Sequence, residues 1–591
     1  MLRSFIPWFL TLTLSLNLVS CSGGLTDSSK SADEVFHSLT ETYAFPEEEA
    51  GVDTDYIYQF DEDAFRAELA KLTEAAGQSD AATVLALYDE LYDQIAQLDE
   101  DYWHSYLLYC DDVTDDDAYE RNLDYTDLYN ECLIDLTSAC YSITQGPCAE
   151  EFRRHVGEDD FAYFAAYSAP SEREEEINHR ETELLDDYYA VMADEDTITY
   201  RYGGQDWTWS MFEGTKGDRL YYRDYEGYCE VYYGLIDAQN AAAAPIYLEL
   251  VELRKELAEL NGYDSYNEYA YENLYVREYS PDDAQRFCDE VKDGLADTYV
   301  RRFGESDLWY EYEYTSIGNT TTLLALFEEY IPEFGDRAVE AFSQLKSSHL
   351  YDIGMDDNRM NGAFTISMGG SSTPYIYMTS SGTCYDFLDF SHEFGHFTDA
   401  YINPVENLLV DAGSYDLFEI HSQGMQALFT FFYNDIFGDD AGTAAFLNMA
   451  GLVDVVVAGC LYDEFQRMVY DSPAMTVEEL NELFAALEAE YGIEPYGDYD
   501  GSWIYVEHNF DSPLYYLSYA VSALAAMEIW DIACEDFEQG LACYWQVVDC
   551  GAYDEDYTTV VTKCGLTPFM QAGAAETIVT PVLEYLDLLD S

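Results

Sequence analysis

The chain has 591 residues, of which 118 are Asp or Glu and 25 are Lys or Arg, giving a formal net charge of −93. A field of that sign repels phosphate backbones and anionic lipid surfaces, which excludes nucleic acid and membrane surfaces as partners of the folded body. Apolar residues make up 48% and aromatics 16%, enough for a large core and too much for wholesale disorder.

At the N-terminus, Arg3 precedes an apolar stretch from Phe5 to Val19, of secretory-signal length and too short for an ordinary spanning helix. Leu18-Val19-Ser20-Cys21 resembles the bacterial lipobox, whose cysteine becomes the lipidated first residue of the mature protein. The expectation is a signal peptide over 1–20, lipidation at Cys21 and a flexible anchored linker over 21–45. That describes an exported bacterial lipoprotein on the extracytoplasmic face, touching the membrane only through its anchor. Twelve of the 13 cysteines lie beyond Cys21, and no C-x-x-C pair occurs, so buried free thiols are as well supported as disulfides.

Helix signals dominate residues 46–244, which predicts a helical N-terminal lobe. Acidic runs at Asp115-Asp116-Asp117 and Glu174-Glu175-Glu176 read as loops or solvated helix faces. Thr197 to Trp209, broken by Gly203-Gly204, reads as an isolated hairpin. Pro245 is expected to open a helix with Leu250, Leu253, Leu257 and Leu260 on one face, closed by Asn261-Gly262. Ser280-Pro281-Asp282-Asp283 has the form of another helix start. A second unit is expected over 245–591.

Within that unit, Pro374 to Met378 reads as a short strand with proline at its first position, hence an edge able to pair with an extended peptide. Thr383 and Asp386 have the spacing of a capping box, and Phe387, Phe390, Phe394 and Phe397 then recur at helical intervals as far as Pro404. This helix carries His392-Glu393-Phe394-Gly395-His396, the H-E-x-x-H pattern. Four residues turn about 400°, so both imidazoles emerge on one face, where they can share one Zn²⁺. Glu393 is rotated by about 100° and lies where it can take a proton from a bound water.

A catalytic zinc keeps an open position and needs a third protein ligand. Glu419 is the best candidate, because a carboxylate heading the apolar run Leu428 to Phe432 is costly to bury without a partner. Asp399, Asp411 and Asp416 satisfy the spacing as well, and His421 lies about 200° from Glu419 around the helix, a neighbour rather than a fourth ligand.

HEFGH followed by Phe418-Glu419-Ile420-His421-Ser422-Gln423 resembles the thimet oligopeptidase/oligoendopeptidase F family of zinc metallopeptidases, particularly its bacterial oligoendopeptidase branch. The resemblance implies Glu419 as third ligand, with Gln423 at the family's glutamine. Trp503 to Ala520 resembles the family's segment that faces substrate across the metal, which implies His508 and Tyr519 as transition-state donors and Tyr515 or Tyr516 as a substrate contact. Asp511-Ser512-Pro513 stands where many members carry glycines. Tyr247 to Tyr269 is similar to the family's mid-chain helix and turn.

The resemblance therefore implies a mostly α-helical, two-lobed zincin-type metallopeptidase, with a small β-sheet beside the active-site helix and a deep substrate channel. It implies one Zn²⁺ per chain and hydrolysis of internal bonds in short peptides, with Glu393 as base. A carboxydipeptidase of the same architecture and a peptide-binding lipoprotein without turnover are the alternatives.

Overall fold

Aspartate side chains cap several helices of this protein. The computed structural model describes residue 52 and residues 56–590, apart from 195, 305, 357, 406, 411–412, 494–499 and 552–554. The segment expected to be a signal peptide, Cys21, most of the segment to residue 55 and Asp411 lie outside the described residues. Helices α1 (Glu62–Ala76), α2 (Ala81–Asp111) and α3 (Asp116–Thr144) are capped by the side chains of Asp61, Asp80 and Asp115, which accept from first-turn N–H groups. The Asp115-Asp116-Asp117 run is thus a cap and first turn, where negative charge also complements the helix dipole. Ser171 and Glu174 form a capping box at the head of α4 (Glu172–Met192).

Strands β1 (Tyr200–Tyr202) and β2 (Gln205–Trp207) form the expected antiparallel hairpin, turning through Gly203 and Gly204 at φ +59 and +85. Helix α5 (Tyr225–Leu260) corrects the reading of Pro245, which lies inside it rather than at its start. The proline forfeits one backbone bond of the helix. Val231 and Leu235 before it, and Tyr247 and Leu250 after it, are fully buried and hold both halves in one helix. Ser280 caps α6 (Pro281–Glu290) with Pro281 in the first turn, as expected.

Strands β3 (Tyr351–Gly354), β4 (Ala363–Met368) and β5 (Thr373–Thr379) form a sheet in the order β3-β5-β4, with β3 parallel and β4 antiparallel to β5. The Pro374 strand is therefore central, not an edge. Pairing with β3 begins only at Ile376, so the missing N–H of Pro374 takes nothing from that ladder. Side chains alternate between two cores. Phe364, Ile366, Tyr375 and Tyr377 face the N-terminal helices, while Ala363, Ile376 and Met378 face the core of the C-terminal half. The Tyr377 hydroxyl donates to the Cys110 carbonyl at 2.7 Å, tying α2 to the sheet.

Helix α7 (Tyr385–Ile402) follows β5. Its start differs from the capping box expected from Thr383 and Asp386: Cys384 is the N-cap residue, and Asp386 reaches back to Ser381 N–H (2.6 Å), Gly382 N–H (2.9 Å) and the Ser380 hydroxyl (2.5 Å). The carboxylate orders the loop ahead of the helix instead of closing a box on it. Phe387, Phe390 and Phe394 pack around Phe327, each ring fully buried and contributing about 2 kcal/mol of apolar burial. Then come α8 (Tyr415–Phe429), α9 (Ala441–Asp471), α10 (Tyr516–Glu535) and α11 (Phe537–Cys550). The spans Gly438–Asp471 and Tyr516–Glu535 are long and apolar enough to cross a membrane. Of their apolar windows, however, 89% and 78% are buried inside the protein, which makes them core helices.

Candidate active site

Helices α7 and α8 touch at a glycine. A Cβ on Gly395 would lie 2.5 Å from the His421 carbonyl oxygen and 2.6 Å from Ser422 Cα, so only glycine lets the helices approach this closely. That contact sets Glu419 opposite the two histidines. The Glu419 Oε2 atom is 3.4 Å from His392 Nε2 and 3.4 Å from His396 Nε2, and all three side chains are buried. Gly395→Ala should force the helices apart, costing about 1–3 kcal/mol of stability and about 10–100-fold in metal affinity, measurable by thermal unfolding and metal titration. Unchanged metal affinity would count against the close contact as the device that builds the site.

The donor set fits a zinc ion. Zinc bonds of about 2.0–2.1 Å at tetrahedral angles put neighbouring ligand atoms about 3.3–3.4 Å apart. The Glu419 oxygen stands at that spacing from each imidazole nitrogen, and all three donor atoms lie within 4.8 Å of one another. Burial alone would raise the Glu419 carboxyl, but His396 and His392 beside it more than offset that and hold it well below the usual range. Burial would lower His392, yet Glu419 overrides it and pushes the imidazole up to about 9. His392 Nδ1 lies 3.2 Å from Gln426 Oε1, which favours the tautomer with Nε2 free to bind metal. The backbone carbonyl of Gln426 accepts from the Asn448 side chain at 2.9 Å.

Of the rival carboxylates, the two within the described residues, Asp399 and Asp416, have other partners. Asp399 lies 3.2 Å from His421 Nδ1 and accepts from Asn403, so His421 links α7 to α8 and takes no part in the triad. Asp416 binds Arg277 (3.3 Å), Tyr279 (2.6 Å) and Ser518 (2.6 Å).

Glu393 is 2% exposed, and burial pushes its carboxyl up against the pull of His392 and His396. Thr365 on β4 donates its hydroxyl to Glu393 Oε2 at 2.8 Å. His508 sits on a turn of 3₁₀ helix, Glu507–Asn509, with its Nε2 3.5 Å from the Tyr519 hydroxyl. Burial lowers its pKa and favours the neutral imidazole. The Tyr515 hydroxyl donates to Glu419 Oε1 at 3.3 Å, so this side chain reaches the His-His-Glu cluster. Tyr516 is half-buried, its ring 5.3 Å from that of His508 and 5.5 Å from that of Tyr519. Gln423, fully buried, holds the Tyr519 carbonyl at 3.5 Å.

Thr365 and Gln426 were not singled out by sequence. Gln426 carries a faint signal, a polar residue two turns beyond Glu419 on the helix face that also bears Ser422 and Gln423. Thr365 carries none, since threonine is an ordinary strand residue.

Several solved structures share the fold. PZ peptidase A, solved with an inhibitor, matches at a TM-score of 0.74 and 18% identity, over 91% of this chain and 100% of that one. A protein described as an oligoendopeptidase F from Bacillus anthracis matches at 0.70 and 18%, over 92% and 99%. A carboxypeptidase from Pyrococcus furiosus matches at 0.54 and 13%, over 89% and 99%. No protein-family model matches the chain, and no curated protein matches it in sequence. The expected mostly helical fold, with a small sheet beside the helix that carries His392 and His396, is the one observed.

Proposed function

We propose that this protein is a zinc-dependent oligopeptidase that hydrolyses internal bonds of short peptides. One observation carries the reading: a His-His-Glu triad at zinc spacing, with a buried carboxylate beside it and a paired histidine and tyrosine nearby. His392, His396 and Glu419 would hold one Zn²⁺, which supplies a Lewis acid for the scissile carbonyl and acidifies water.

The chain's own groups do the rest. Glu393 takes the proton of the attacking water on the carboxylate oxygen that Thr365 leaves open, and passes it to the departing amine nitrogen. Neutral His508 and the Tyr519 hydroxyl donate to the carbonyl oxygen as negative charge develops there. Tyr515 steadies Glu419, and half-buried Tyr516 offers a face to the substrate. Strand β4, at the sheet edge, is placed to pair with an extended peptide backbone, the role that sequence gave to β5.

If Tyr519 is a donor, Tyr519→Phe should lower kcat and kcat/KM together by about 10²–10³-fold and leave KM nearly unchanged. Tyr515→Phe should instead weaken metal binding, because its hydroxyl meets Glu419. Steady-state kinetics beside metal titration distinguish the two. A Tyr519→Phe enzyme with normal turnover would remove that residue from the mechanism.

The P. furiosus carboxypeptidase keeps the carboxydipeptidase reading alive. Metal analysis and a mixed peptide library read by mass spectrometry test the main reading, with C-terminally amidated copies of each peptide. Cleavage within amidated peptides of roughly ten residues, with folded proteins left intact, supports an oligoendopeptidase with a roofed cleft. Release of dipeptides only from free C-termini overturns it, and binding without turnover returns the non-catalytic reading. As an exported lipoprotein, the enzyme would act on the extracytoplasmic face. Cys21→Ser should then release it from membranes, and unchanged retention would sink the anchor.

A further inference from the structure

Leu514 lies between His508 and the tyrosines, in the segment where Asp511-Ser512-Pro513 replaces glycines. It is fully buried and has φ +71, a left-handed conformation that leucine ordinarily avoids. Hydrogen bonds grip both sides of the residue. Its N–H donates to Gln466 Oε1 at 2.8 Å, and its carbonyl accepts from Arg277 Nη2 at 3.0 Å. The Tyr275 hydroxyl donates to the carbonyl just before it, that of Pro513, at 2.7 Å.

These holders are themselves fixed. Gln466 is fully buried on α9 and donates to Asn509 Oδ1 at 2.8 Å, beside His508. Arg277 lies 4.5 Å from the Tyr271 ring and 4.7 Å from the Tyr275 ring, donates to Ser518 Oγ at 3.0 Å, and pairs with Asp416, one turn before Glu419. Val276, which precedes Arg277, is also left-handed at φ +50. Two disfavoured backbone conformations therefore flank one buried ion pair, between the helix carrying Glu419 and the helix carrying Tyr519. The surroundings over-determine a geometry that the local sequence opposes.

We infer that Arg277 and Gln466 are positioning residues, which force Leu514 into the left-handed conformation and so aim Tyr515 and Tyr519 relative to His508 and Glu419. A glycine loop would reach the same shape without strain, whereas this chain reaches it through buried polar bonds. The inference rests on the peptidase reading for its kinetic consequence but not for its structural one.

Gln466→Met and Arg277→Lys, each alone and each combined with Leu514→Gly, provide the test. Both single variants should lower kcat about 10²-fold, the loss that a displacement of about 1 Å produces, with KM nearly unchanged and metal affinity lowered no further than Tyr515→Phe lowers it. Adding Leu514→Gly should recover most of that loss, because glycine adopts φ +71 without enforcement. Crystal structures should show residue 514 leaving the left-handed region in the single variants and returning in the doubles. Should Arg277→Lys fail to fold, Gln466→Met decides alone. A purely structural role would lower the melting temperature and leave kcat intact below it. That result, or a glycine that restores nothing, would overturn the inference. A wild-type protein that cuts no peptide would defeat the peptidase reading, and the crystallographic comparison would still decide this one.

Discussion

Glu393→Gln should bind zinc with wild-type stoichiometry, fold normally and lose about 10²–10⁴-fold in kcat, the usual contribution of a positioned general base. The amide has nearly the volume of the carboxyl, so no cavity opens between α7 and β4. It can still accept from the Thr365 hydroxyl, which now donates at 2.8 Å. It cannot accept a proton at neutral pH. The melting temperature should hold or rise, because the wild-type carboxyl is 2% exposed and burial disfavours its charge. Kinetics, metal content and thermal unfolding on one preparation separate chemistry from structure. Turnover within tenfold of wild type would contradict Glu393 as the base.

Glu419→Ala, His392→Ala and His396→Ala should each strip the metal, since a site of three protein ligands has none to spare. Glu419 is the most telling, because sequence spacing allowed Asp399, Asp411 and Asp416 in its place, and of these Asp399 and Asp416 already have partners in the fold. Full zinc occupancy in Glu419→Ala would contradict the triad. The wild-type site should also bind metal in a pH-dependent way. Without metal, His392 keeps its proton up to a pH of about 9 through Glu419, and the metal must expel it. Affinity should therefore rise about tenfold per pH unit toward that value and level off above it, which competition with a metal indicator would measure.

How far these groups could be read from sequence depended on whether their partners were local. His392, Glu393 and His396 are fixed by the turn of one helix, so their relative placement follows from spacing alone. Glu419 was legible as an unexplained carboxylate heading an apolar helix, and the family resemblance chose it among its rivals. Thr365 was not legible, because its role exists only once β4 lies across α7. Nor was Gln426, whose partner is on another helix. The errors have the same origin. Pro374 suggests an edge by its own chemistry, but β3 starts two residues too late for that to matter. Pro245 suggests a helix start, but packing on both sides carries the helix through it. Asp386 suggests a box with Thr383, yet the loop before the helix offers it better donors. Local rules identify a residue's options, and tertiary contacts choose among them.

Strand β4 sends alternate side chains to opposite sides: Phe364 and Ile366 to the N-terminal helices, Thr365 to Glu393. Sliding the strand by a single residue would reverse every one of these directions at once. An aromatic or aliphatic group would then be pressed against the base, and a hydroxyl would be stranded in the apolar seam between the lobes. No half-correct version exists that works slowly. The strand thus couples the site to assembly: the register that seats Thr365 against Glu393 is the same one that packs Phe364 and Ile366 on the N-terminal helices.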